Sequence, residues 1–153
     1  MRAKSHPNLL ALIALPILLL LSISVLAEDG NMIEVGDIRV HYNALPTRLL
    51  TPEVARQYGI TRSANRALLN VSVLKSENGS SHGTPATVKA SATNLNGQRQ
   101  ELRVMEVREA DAVYYLAEAR FQDRETLAFD LEVTPQGSTE TIRARFQQQF
   151  FAQ

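Results

Sequence analysis

Cysteine and tryptophan are both absent from the 153 residues. The first absence excludes a disulfide framework and all thiol chemistry, so a hydrophobic core alone must hold the fold. Neither sign of charge dominates, with 16 Lys+Arg against 16 Asp+Glu. Without a concentrated basic excess, general nucleic-acid binding is excluded as a function class. No His-x-His or Glu-x-x-His spacing seeds a metal site. The chain also lacks a cofactor loop, an internal repeat and a low-complexity tract, and no cofactor is expected.

The strongest positive signal comes first. Arg2 and Lys4 precede a nearly unbroken apolar run, Leu9 to Leu21, and Ser22 and Ser24 lead into Val25-Leu26-Ala27. That order is the charged, apolar and small-residue layout of a secretory signal, with cleavage expected after Ala27. Pro16 interrupts the run and no basic cluster follows it, which favours cleavage over a retained anchor. Membrane contact is expected only through the leader, if it stays uncleaved. Removing Arg2 and Lys4 leaves 14 basic against 16 acidic residues, a net charge of −2, on a single domain over 28–153. A chain of that length buries about two thirds of its unfolded surface, enough for a core without staples.

Period-two alternation recurs along the mature chain, the pattern of half-buried strands. It appears in Ile38, Val40 and Tyr42, in Leu69, Val71 and Val73, and in Val88, Ala90 and Ala92. Later runs cover Val113 to Phe121, Leu127 to Val133 and Ile142 to Phe150. Between them, Leu102 and Val104 begin a strand whose phase shifts to Met105 and Val107, which predicts a β-bulge. Asn96-Gly97 marks a hairpin, and the polar stretch Lys75 to Pro85 reads as a mobile hairpin loop. About seven short strands predict an all-β antiparallel sandwich, immunoglobulin-like, with a small barrel as the alternative. The last segment, Phe146 to Gln153, either closes the core or offers a strand edge to another chain.

The long link Asn43 to Arg66 contains one expected helix. Thr51 is placed to cap it, Pro52 to start it, Glu53 to complement its dipole and Gly59 to stop it. A link this long in a compact domain usually has a job. Arg48, Arg56, Arg62 and Arg66, with Ser63 and Asn65, cluster within it, and arginine forks suit carboxylate or phosphate. His41, Tyr42 and Asn43 stand at its start. Of the two histidines beyond the leader, His82 lies in the polar loop, which leaves His41 as the better general-base candidate. Glu106, Glu109 and Asp111 could gather calcium, although a solvated acidic turn is the better explanation of them.

The segments His41-Tyr42-Asn43-Ala44, Leu50-Thr51-Pro52-Glu53-Val54-Ala55, Tyr58-Gly59-Ile60 and Arg62-Ser63 resemble an uncharacterised Gram-negative exported family, domain of unknown function 4426. Val71-Ser72-Val73-Leu74, Ala92-Thr93-Asn94-Leu95 and Tyr114-Tyr115-Leu116-Ala117-Glu118 are similar to it as well. The resemblance spans essentially the whole mature chain and implies a periplasmic single-domain β protein. It implies no activity and no catalytic residue. A shorter stretch, Asp111 to Tyr115, is similar to the entry into the F strand of immunoglobulin variable domains. There a tyrosine hydroxyl ties a corner to the backbone, which makes Tyr114 a corner candidate. Tyr115, Ala117, Ala119 and Phe121 nevertheless form the more apolar face.

The expected function is a periplasmic binding or accessory module engaging an envelope protein or a small anionic ligand through the 43–66 link. The alternative is a periplasmic hydrolase using His41 with carboxylates. A purely structural envelope protein ranks third. The candidate binding residues are His41, Tyr42, Asn43, Arg48, Arg56, Arg62, Ser63, Asn65 and Arg66.

Overall fold

A computed structural model describes residues 31–152; the expected leader and its cleavage point lie outside them. The described chain forms ten strands and one α-helix. In order these are β1 (Asn31–Val35), β2 (Ile38–Pro46), α1 (Pro52–Tyr58), β3 (Arg66–Glu77), β4 (Ser80–Gly83) and β5 (Ala86–Asn94). Then come β6 (Arg99–Leu102), β7 (Met105–Glu109), β8 (Ala112–Arg120), β9 (Glu125–Pro135) and β10 (Ile142–Phe150). One sheet runs β1-β2-β3-β8-β7, with β4 added to β3; the other runs β10-β9-β5-β6. Two antiparallel sheets face one another without closing, so the fold is the expected all-β sandwich and not the alternative barrel.

Ten strands replace about seven for three local reasons. A hairpin at Gly36, where φ is +61°, adds β1 ahead of the first alternation. The polar stretch after Lys75 is paired backbone: Asn78 and Gly79 both hold positive φ, at 51° and 80°. Two such residues make the turn whose twist matches flanking strands, so β4 folds back on β3. Finally, the phase shift near Val104 is a change of sheet. β6 pairs with β5 in one sheet, and β7 pairs with β8 in the other. The chain crosses at Arg103 and Val104, and a crossing reverses which residues face inward, as the alternation showed.

The core lies between the sheets. Leu127, Phe129, Leu131 and Val133 of β9 are each at most 1% exposed, and burying such side chains stabilises by about 1.5–3 kcal/mol apiece. Phe129 stacks on Phe146 at 4.9 Å, and Phe121 on Phe150 at the same distance. Phe146 and Phe150 therefore close the core, and of the three terminal phenylalanines only Phe151 is largely exposed. A second, smaller cluster forms on the outer face of the β1-β2-β3-β8-β7 sheet. There Ala55 and Ile60 from the link cover Leu68 and Leu116. Those two outward strand residues are apolar, and the link is what removes them from water.

The helix obeys its local signals. The Thr51 hydroxyl accepts from the Val54 N–H at 3.3 Å, Pro52 occupies the first turn, and Gly59 ends the helix at φ +65°. The Ile60 N–H then returns to the Ala55 carbonyl at 2.8 Å, satisfying a terminal acceptor as helix C-caps do.

Candidate functional site

Side-chain bonds hold the link against the sheet at three places. Thr47 is fully buried, and its hydroxyl donates to the Ser63 carbonyl at 3.3 Å while accepting from the Ser63 N–H at 3.0 Å. The Glu118 carboxylate, on β8, accepts from the Thr61 N–H at 2.9 Å and from the Arg66 guanidinium at 3.2 Å. The Tyr58 hydroxyl donates to Glu109 at the end of β7, where Gln57 adds a bond at 3.2 Å. The hydrogen bond to that carboxylate raises the Tyr58 pKa above its ordinary value, because ionising the hydroxyl would give up the bond and set two negative charges together.

The nine candidate residues do not converge on one cavity. Tyr42 points inward, 8% exposed, with its ring 5.2 Å from Phe146; it is core. His41 and Asn43 face outward, opposite Ser72 and Asn70 of β3. They belong to β2, so the true link spans only 47–65. Arg56 pairs with Glu53 at 3.5 Å on the open surface. Arg62 donates to the Arg48 carbonyl at 3.2 Å, and the Arg48 Nε is buried with no partner among the described residues. The Ser63 hydroxyl donates to the Asn65 amide oxygen at 2.6 Å. Of the nine, Arg66 alone lines a groove beside β8. Glu106 and Glu109, read as calcium candidates, are three apart on one strand and face opposite sides of it. Glu109 turns to Tyr58, and Glu106 turns to Arg108 at 2.6 Å, which lowers its pKa.

That groove, of about 500 Å³, lies between Tyr58–Ile60, the second half of β8 and the crossing segment Gln100–Met105. Ile60, Leu116 and Met105 supply its apolar side, and Met105 is 42% exposed. Arg66, Arg103 and Arg120 supply its polar side. Arg66 is neutralised by Glu118 at 3.2 Å, and Glu101 by Arg99 at 2.6 Å. Arg103 and Arg120 form no ion pair among the described residues, so the groove carries an uncompensated positive charge. Sequence reasoning did not single out Arg103 or Arg120. Neither stands in a motif, and the phase shift at Val104 was the one signal that this segment was unusual.

The tyrosine corner also falls on the neighbour of the expected residue. Tyr115, 3% exposed, accepts from the Ala86 N–H at 2.6 Å and donates to Glu106 at 3.1 Å. Tyr114 faces the outer cluster beneath the link.

The family model described as "Domain of unknown function (DUF4426)" matches residues 32–153. A crystal structure of a DUF4426 family protein from Pseudomonas aeruginosa matches with a TM-score of 0.70 at 30% identity, covering 83% of this chain and 98% of that one. FetP from uropathogenic Escherichia coli has the same fold at 11% identity. A copper-bound variant of it gives a TM-score of 0.59 over 82% of this chain and 97% of its own. An as-isolated form, expressed recombinantly in the periplasm of E. coli, gives 0.58 over 82% and 95%. No curated protein matches the chain. With its family model running from Met32 to the last residue, the chain belongs to the DUF4426 family.

Proposed function

We propose that this DUF4426 protein is a periplasmic binding module whose groove beside β8 holds an anionic ligand. One observation carries the reading: Arg103 and Arg120 stand at an apolar-sided groove of about 500 Å³ with no carboxylate paired to either among the described residues. Arginine is weakly hydrated and presents a planar fork, so unpaired arginines beside apolar surface favour carboxylate or phosphate. The expected leader, and a fold shared with a protein expressed in the periplasm, support the location. The copper of the FetP variant is not carried over, because among the described residues no group of three His, Cys, Asp or Glu side chains is placed to hold a metal ion. The hydrolase alternative gains no support, since His41 lies outside the groove and faces Ser72 and Met32.

The test is calorimetric titration of residues 28–153 with a tricarboxylate and with a glutamate-rich peptide. Binding should weaken about tenfold or more in the Arg103→Ala/Arg120→Ala double variant, a loss of about 1.4 kcal/mol. It should also weaken with added salt, and Arg56→Ala should leave it unchanged. A double variant that melts and binds like the parent would refute the assignment.

A further inference from the structure

The groove contains an interrupted strand edge. β7 pairs with β8 only as far as Met105 opposite Leu116, because the chain then crosses to the other sheet. Beyond that point no strand is paired with this edge of β8 among the described residues, although β6 approaches it at Arg120. At Arg120 a side chain takes the missing strand's place: the Gln100 amide donates to the Arg120 carbonyl at 2.7 Å and accepts from the Arg120 N–H at 2.9 Å. With one of its two N–H groups and its carbonyl, a primary amide can stand in for a peptide unit. In an antiparallel ladder, residues two apart direct their backbone groups to the same edge. Arg120 therefore fixes the phase, and the Glu118 N–H and C=O point into the groove. The Phe121 N–H bond to the Asn65 carbonyl, at 3.0 Å on the opposite edge, agrees with that phase.

Resting on the binding role proposed above, we propose that the groove accepts an extended acidic segment of another protein, which adds as a short strand beside Glu118. The backbone at Glu118 supplies a donor and an acceptor in register with the Gln100 amide. Arg103 and Arg120 supply charge complementary to acidic side chains, and Ile60, Leu116 and Met105 receive the apolar ones. Strand addition gains affinity from main-chain bonds and specificity from alternate side chains. A small anion would use the arginines and leave the Glu118 backbone untouched.

The experiment uses isotope-labelled residues 28–153 and a capped octapeptide alternating glutamate and valine. In the free protein the Glu118 amide should exchange with solvent about a hundredfold faster than Ala117 and Ala119, whose N–H groups are committed to β3. Saturating peptide should slow Glu118 about tenfold or more, as a new ladder bond would. Methylating the peptide nitrogens in one alternate phase should weaken binding about tenfold, and in the other phase hardly at all. A slow Glu118 amide in the free protein would overturn strand addition. So would binding that needs Arg103 and Arg120 yet ignores both methylated peptides; that result would leave the anion groove standing. If neither the peptide nor a tricarboxylate binds, both readings fail.

Discussion

Tyr115→Phe removes one oxygen, and the structure says what that oxygen does. It accepts from the Ala86 N–H at 2.6 Å, joining β8 of one sheet to the first residue of β5 in the other, and it donates to Glu106 at 3.1 Å. The two losses are unequal. Glu106 keeps its bond to Arg108 at 2.6 Å, so its carboxylate stays satisfied. The Ala86 N–H, on a half-buried residue, loses its partner, and a donor left unsatisfied costs about 1–3 kcal/mol where water does not replace the bond. We expect about 2 kcal/mol in all, read as a fall of roughly 1 M in the urea midpoint with unchanged slope. Tyr114→Phe is the control. No side-chain bond holds its hydroxyl among the described residues, and it should stay within about 0.5 kcal/mol of the parent. Equal costs for the two variants would refute the corner at Tyr115. The same group also shapes the alkaline limb. Burial raises the Tyr115 pKa, offset in part by the Ala86 bond and reinforced by Glu106. A folded value above the unfolded one, about 10, means its contribution is complete below that pH and lost above it. Tyr115→Phe should therefore make the alkaline decline shallower, with Tyr58, also raised, retaining a share.

Two further changes probe packing. A Cβ at Gly83 would lie 2.6 Å from the Asp111 carbonyl oxygen and 2.7 Å from the Val113 nitrogen, both backbone atoms. Overpacking of this kind costs about 1–3 kcal/mol, so Gly83→Ala should melt several degrees lower by calorimetry, and an unchanged melt would contradict the contact. Phe150, 1% exposed and stacked on Phe121, should cost about 3–5 kcal/mol on change to alanine. Phe151→Ala should cost little by the same denaturant assay. The reverse order would mean that the last strand serves an interface and not the core.

Elements governed by neighbours in sequence were legible from the sequence. Alternation in Leu127 to Val133 dictates a half-buried strand whatever its partner. Thr51, Pro52 and Gly59 delimit α1 because caps and positive φ are local requirements. The phase shift at Val104 was visible as well, but its cause was not. A bulge and a crossing between sheets give the same reversal of facing, and only the pairing of β6 with β5 and β7 with β8 distinguishes them. The adjacent tyrosines were legible in part: the more apolar face ran through Tyr115, Ala117, Ala119 and Phe121, which turns Tyr115 inward, whereas the short likeness to an F strand pointed to Tyr114. The candidate site lay furthest from view. Of four arginines close in sequence, Arg56 turns to Glu53, Arg62 to the Arg48 carbonyl and Arg66 to Glu118, while the Arg48 Nε finds no partner among the described residues. The groove instead joins Arg66, Arg103 and Arg120, which are distant in the chain and adjacent only because β8 lies beside both β3 and the crossing segment. Sequence by itself determined strands, turns and the helix, each set by interactions within a few residues. Which strands pair, which charges stay unpaired and where an edge is left open depend on contacts between distant segments, and only the packed sheets decide those.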